Sequence, residues 1–180
     1  MELLRSLDSG HRDVITAHLL SLSLEERADR FMGPVNDHYI RRYVDAIGYG
    51  KDVLIGACER RRLVGVAHAA KYLENEELLV EVGVSVDVSA RRHGLGKRLL
   101  LAAIEAAKRF NVRRAHVLFR STNVAMAALT RSVGGRVEHN GSESFAVFEI
   151  NTAQKASKEP FAERAVLGTS IAKSRRWQRS

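Results

Sequence analysis

The apolar and polar positions of the first 150 residues alternate in some stretches and recur at helical spacing in others. A short alternating stretch over 2–8 predicts a first strand. Residues 10–23 carry Val14, Ile15, His18, Leu19 and Leu22 at helical spacing. Ser23-Leu24-Glu25-Glu26 restarts a helix, with Ser23 as N-cap and Glu26 at the capping-box position. Gly33-Pro34 ends that helix, Asn36 or Asp37 caps a third running to about Ile47, and Gly48 and Gly50 close it. Apolar runs at 52–59 and 63–72, joined by Arg60-Arg61-Arg62, predict a hairpin with a solvated turn. A strand at 78–88 follows the polar turn Glu74-Asn75-Glu76-Glu77. Residues 94–110 predict an amphipathic helix with Leu95, Leu99, Leu100, Ala103, Ile104 and Ala107 on one face. A strand at 114–119, a helix at 123–132 and strands near 136–139 and 144–150 complete the pattern. Hairpins mixed with helical crossovers imply an α/β or α+β layer with a mixed sheet.

Composition changes this picture mainly after residue 150. A chain of 180 residues, 45% hydrophobic and with two prolines, can bury one good core. Of the net charge of +8, seven basic against two acidic residues place +5 in 151–180, leaving +3 for 1–150. The expected organisation is one domain over 1–150 and a basic, flexible tail over 151–180, sparse in apolar residues. The high isoelectric point reflects that tail and does not by itself imply nucleic-acid binding, although Arg175-Arg176-Trp177-Gln178-Arg179 could touch nucleic acid or an anionic surface. No run approaches the roughly 18 apolar residues of a membrane span. The start, Met1-Glu2-Leu3-Leu4, lacks the basic and apolar regions of a signal peptide. A lone cysteine, Cys58, fits a reducing cytoplasm and reads as a buried small hydrophobe.

The chemistry concentrates in one strand-loop-helix unit. Val82-Gly83-Val84-Ser85-Val86 leads into a polar loop, and Gly94 opens the long helix. A helix N-terminus offers unpaired N–H groups and a positive dipole end, which suit a phosphate. Gly94 and Gly96 allow close backbone approach, and Arg91, Arg92 and Lys97 add positive charge. A dinucleotide fingerprint would need a third glycine where Leu99 stands. A P-loop would need glycine at Arg91 and Ser or Thr at Arg98. Both are excluded, leaving an anion cradle or simply a tight turn with a basic rim.

The run from Val84 through Arg91-Arg92-His93-Gly94-Leu95-Gly96-Lys97 to Leu100 resembles the acetyl-CoA-binding motif of the GNAT N-acetyltransferase superfamily. That motif is an apolar strand, Gln/Arg-x-x-Gly-x-Gly/Ala, and an amphipathic helix. Asn123-Val124-Ala125-Met126-Ala127-Ala128-Leu129, ending at Gly134, resembles a second segment of the same superfamily, in the right order and at typical spacing. Leu22-Ser23-Leu24-Glu25-Glu26-Arg27 with Arg30-Phe31 is similar to a stretch of the bacterial protein-lysine acetyltransferase branch. The resemblance covers 1–150 and implies a mostly antiparallel sheet flanked by helices and splayed at its central strand. It further implies acetyl-CoA as cosubstrate and no metal. The amides of His93, Gly94, Leu95, Gly96 and Lys97 would hold the pyrophosphate, with Arg91 and Arg92 at the loop's opening. The backbone of Val84, Ser85 and Val86 would pair with the pantetheine arm. Asn123 would hydrogen-bond near the pantetheine or acetyl end. A primary amine, on a protein lysine or a small molecule, would attack the thioester directly in a ternary complex. A catalytically silent acyl-CoA-binding regulatory module is the alternative, and a homodimer is compatible with either.

Acyl transfer to an amine needs a base, since a lysine ammonium has a reference pKa of about 10.4. Glu81 is the candidate: it shares a strand face with Gly83 and Ser85, opposite Val82, Val84 and Val86. It also lies ten residues before Arg91, the spacing seen for the glutamate of the protein-lysine acetyltransferase branch. Its structural alternative is a carboxylate paired with a neighbouring Arg or Lys. Many superfamily members carry a tyrosine seven residues after the asparagine, where this chain has Thr130. Tyr39, Tyr43 and Tyr72 are possible substitutes that the sequence does not place, so no general acid is assigned. The seven histidines lack metal-ligand spacing, and His68 and His116 read as ordinary strand histidines.

Overall fold

Strand and helix alternate largely as the periodicity implies, and the sheet they form is open along part of its middle. The computed structural model describes residues 3–60, 62–74 and 76–150. The elements are β1 (Leu3–Ser6), α1 (Arg12–Leu20), α2 (Leu24–Phe31), α3 (Asp37–Asp45), β2 (Val53–Glu59), β3 (Arg62–Glu74) and β4 (Glu77–Val86). They are followed by α4 (Leu95–Ala107), β5 (Arg114–Arg120), α5 (Val124–Ser132), β6 (Arg136–Asn140) and β7 (Glu143–Glu149). The expected tail at 151–180 and Arg61 of the arginine turn lie outside the described residues.

Local chemistry sets the helix ends. Ser23 accepts from the Glu26 amide while the Glu26 carboxylate accepts from the Ser23 amide, a complete capping box for α2. Asn36 caps α3 by accepting from the Tyr39 amide at 2.9 Å. Helix α2 stops at Phe31, one turn before Pro34, because Met32 takes a left-handed conformation.

One seven-stranded sheet runs in the order β1-β2-β3-β4-β5-β7-β6. Every neighbouring pair is antiparallel except β4 and β5. Strands β2 and β3 are buried on both faces, which is why they read as continuous apolar runs. On one face Val80, Val82 and Val84 join Leu95, Leu99, Leu100 and Ala103 of α4 in a core that extends to β5 and β7. On the other, Leu54 and Val66 meet Ile15, Leu19, Phe31, Ile40 and Val44 of α1, α2 and α3. Burying 23 such side chains on the first face and 12 on the second, among the described residues, is the main driving force for the layered arrangement.

The parallel pair β4–β5 is brief. Val80 lies opposite Ala115 and Glu81 opposite His116, and there the register ends. Beyond it β4 stays paired with β3 as far as Val86 opposite Gly65. Strand β5 stays paired with β7 to its end at Arg120. The two central strands therefore diverge after Glu81, and a wedge opens toward their C-terminal ends, where α4 and α5 begin.

Candidate functional site

The walls of the wedge follow from strand geometry. The Asp87 amide donates to the Val64 carbonyl of β3 at 2.8 Å. Peptide groups alternate direction along a strand, so Ser85 and Gly83 likewise turn theirs to β3, while Val82, Val84 and Val86 turn theirs to the wedge. Val84 and Val86 thus present backbone where an extended ligand could pair, as a strand pairs with a sheet edge. The Val86 carbonyl accepts from Arg91 Nε at 2.9 Å. Ser85 is not brought to this edge: its hydroxyl shares a 2.9 Å hydrogen bond with His18 Nε2 on the opposite layer.

At the wide end of the wedge the chain turns through Arg92 and Gly94, both at positive φ (62° and 76°). Glycine suits position 94 because the left-handed backbone penalises a side chain, while the space beside it is open, with nothing within 4 Å of a virtual Cβ. Helix α4 has no side-chain cap, and its first return hydrogen bond is from the Arg98 amide to the Gly94 carbonyl at 3.1 Å. Helix geometry then leaves the amides of Leu95, Gly96 and Lys97 directed out of the N-terminus, an arrangement fit for an anion. Arg92, His93 and Lys97 are exposed around it, whereas the Leu95 side chain is buried and anchors the turn. Arg91 is tied back by an ion pair with Glu26 of α2 as well as by Val86.

The two sequence motifs meet here. A Cβ on Gly96 would lie 3.5 Å from Leu129 of α5. Asn123 caps α5, its Oδ1 accepting from the Met126 amide at 2.9 Å. Thr130 is fully buried, and its hydroxyl donates to the Met126 and Ala127 carbonyls at 2.9 and 3.1 Å. Held inside its own helix, that hydroxyl is not presented to the wedge.

Glu81 stands at the apex, the last β4 residue in register with β5. It is 5% exposed, on the face covered by α1, α2 and α3. Arg30 of α2 covers the neighbouring Gly83: a Cβ there would lie 2.4 Å from its Cζ, so the guanidinium occupies the place of a side chain at 83. Across β3 and β5 stand His68, Tyr72 and His116. Tyr72 and His116 share a 2.7 Å hydrogen bond, and His116 Nε2 is buried without a hydrogen-bond partner among the described residues. Burial and nearby carboxylates, Glu74 and Glu81 foremost, push the Tyr72 phenol far up; burial lowers the proton affinity of His116. Tyr43 reaches this layer through Arg30 and His68, and Tyr39 packs edge-on against Phe31. The acidic turn lies at the other end of the sheet, where Glu77 pairs with Arg114.

The Acetyltransferase (GNAT) family model matches residues 21–134, which contain the wedge, the loop and both motifs. The chain belongs to this family. Solved structures agree on the fold. The GNAT domain of S. lividans PAT is 15% identical, with a TM-score of 0.67 over 83% of this chain and 90% of that one. A GNAT superfamily phosphinothricin acetyltransferase from Sinorhizobium meliloti, in complex with AcCoA, is 17% identical, with a TM-score of 0.67 over 87% and 94%. The putative acetyltransferase yncA from Salmonella typhimurium, with its cofactor acetyl-CoA, is 17% identical, with a TM-score of 0.64 over 89% and 99%. No curated protein matches the chain. Among the described residues no group of three or more His, Cys, Asp or Glu could hold a metal ion, and no helix is long and apolar enough to cross a membrane.

The sequence missed Arg30 and His116 as members of this layer. The signal for Arg30 was a basic residue on the inner face of an amphipathic helix, next to Phe31, opposite a strand glycine. His116 left no signal, because only the β4–β5 register sets it beside Glu81.

Proposed function

We propose that the protein is an N-acetyltransferase that moves an acetyl group from acetyl-CoA to a primary amine by direct attack, with Glu81 as the base. The observation that carries this reading is the wedge: β4 and β5 part immediately after Glu81, and an uncapped helix N-terminus closes the wide end. Membership of an acetyltransferase family and two similar folds described with acetyl-CoA support the cosubstrate. Acetyl-CoA supplies an acyl group already activated as a thioester. The amides from His93 to Lys97, with Arg92 and Lys97 around them, would bind its pyrophosphate. Val84 and Val86 would orient the pantetheine arm, and α5 behind Asn123 would close the far wall. Arg91, engaged with Glu26 and the Val86 carbonyl, would brace the loop against the strand. Glu81, at the apex, would take a proton from the acceptor ammonium, directly or through a water.

The acceptor is either a protein lysine or a small-molecule amine. Release of free thiol from acetyl-CoA, measured over lysine peptides, polyamines and amino acids, tests the reading. At least one class should accelerate release, and Glu81→Gln should suppress it. The buried Thr130 hydroxyl favours a second reading, a silent acyl-CoA-binding module, because the usual protonating tyrosine is replaced by a group committed to its helix. Tight acetyl-CoA binding with no acceleration by any amine would decide for that module.

A further inference from the structure

A buried polar chain runs through the acceptor-side layer and ends beside Glu81. Asp52 Oδ2 and His68 Nε2 are 3.0 Å apart, His68 Nδ1 and the Tyr43 hydroxyl 2.6 Å, and Arg30 Nη2 donates to that hydroxyl at 2.8 Å. Its direction is forced. An arginine only donates, so Tyr43 accepts from Arg30 and turns its own proton to His68 Nδ1. His68 then carries its proton on Nε2 and donates it to the acceptor-only Asp52 carboxylate. Burial, the dominant influence on His68, keeps the ring neutral as this pattern requires. No bond in the chain can reverse without stranding a donor, so Arg30 is held in one place.

That place is unusual for a cation. Arg30 is 9% exposed, and its Nε and Nη1 are buried without hydrogen-bond partners among the described residues. It lies against Phe31 and Tyr43 at 5.0 and 5.5 Å from the ring centroids. Its Cζ lies 2.4 Å from the virtual Cβ of Gly83, two residues along β4 from Glu81 on the same face. Side chains so related are about 7 Å apart at their bases, within reach of a two-carbon carboxylate stem. Leaving guanidinium donors unsatisfied in a core is costly, and nothing in the hydrophobic packing requires a charge there.

Resting on Glu81 as the base, we propose that Arg30 is a positioning residue that keeps Glu81 ionised while α2 and α3 bury it. The base must be both desolvated and charged to accept a proton. Burial alone favours its neutral form, and a fixed cation opposes that. The described neighbours in this layer are of other kinds. Tyr43 and Tyr72 are neutral phenols, His68 and His116 are held neutral by burial, His18 of α1 is bound to Ser85, and Arg114 is paired with Glu77.

The test is the pH profile of kcat/KM for thiol release, with a side-chain carboxyl NMR titration of Glu81, its signal identified by its loss in Glu81→Gln. In Arg30→Met the acid limb should move to higher pH by about one unit or more, and the Glu81 signal should move with it. Arg30→Lys should restore most of both shifts. In a Glu81→Gln background, Arg30→Met should leave the pH dependence of the residual rate unchanged. A lower rate with an unmoved limb and signal would make Arg30 purely structural and overturn the proposal. If Glu81→Gln keeps the full rate, the base reading fails, while the carboxyl titration still decides whether Arg30 holds Glu81 ionised. Should Arg30→Met fail to fold, Gly83→Ala, which drives the guanidinium off the strand, carries the same readouts.

Discussion

The loop at 91–96 and the strand face that carries Glu81 belong to one strand-loop-helix unit, yet they are built from different material. The loop works through backbone: positive φ at Arg92 and Gly94, and helix amides free of a cap. Its exposed side chains add charge but do not shape it. The Glu81 face works through side chains from α2, α3, β3 and β5, brought together across tens of residues and buried. A backbone cradle depends on a few consecutive residues and suits a ligand common to a whole family. A side-chain assembly can be changed one residue at a time, and it is the part that would differ with the acceptor.

Substitutions on either side can break this contrast. Glu81→Gln should lower kcat by about a hundredfold to ten-thousandfold. Acetyl-CoA affinity, read by calorimetry, should hold, and a parallel loss of affinity would merge the two regions into one. Gly94→Val, a β-branched residue at a φ of 76°, should weaken acetyl-CoA binding by about tenfold to a hundredfold. It should leave the pH limb of turnover in place. Gly83→Ala should cut kcat/KM about tenfold at unchanged acetyl-CoA affinity and cost roughly 1–3 kcal/mol of stability in a denaturant titration, because its Cβ collides with Arg30.

The smallest effect concerns acid. Burial holds the His18 pKa down to about 4, against an ordinary 6.5. The unfolded chain therefore takes up a proton that the folded chain refuses, and stability present above pH 6.5 is lost as pH falls toward 4. Between about pH 7 and 4.5 the loss attributable to His18 should be on the order of 2 kcal/mol. His18→Gln should flatten that part of the profile in urea titrations. An equal slope in both proteins would place the acid sensitivity elsewhere.

Much of the fold was legible because it is written locally. The capping box at Ser23 and Glu26, the Asn36 cap, the period of α4 and the hairpin runs each need only a few neighbouring residues. The double burial of β2 and β3 was visible as unbroken apolar runs. The loop was legible for the same reason, since Leu99 and Arg98 sufficed to exclude other phosphate motifs. Less was legible around Glu81. Its strand face followed from alternation, but not that Gly83 is small because Arg30 fills its place. Tyr43 and Tyr72 were only two tyrosines among four until the sheet placed them.

The amino-acid sequence by itself determined the elements, their order, the family resemblance and the turn from β4 into α4, because helix periods, caps and glycine conformations are short-range properties of the chain. Only the tertiary structure decided where β4 and β5 part, that His116 faces Glu81 there, and that a polar chain from Asp52 holds Arg30 on Gly83. Those facts depend on strand register and on contacts between residues far apart in the chain. Such contacts are selected by the packing of two whole layers, which no local pattern encodes.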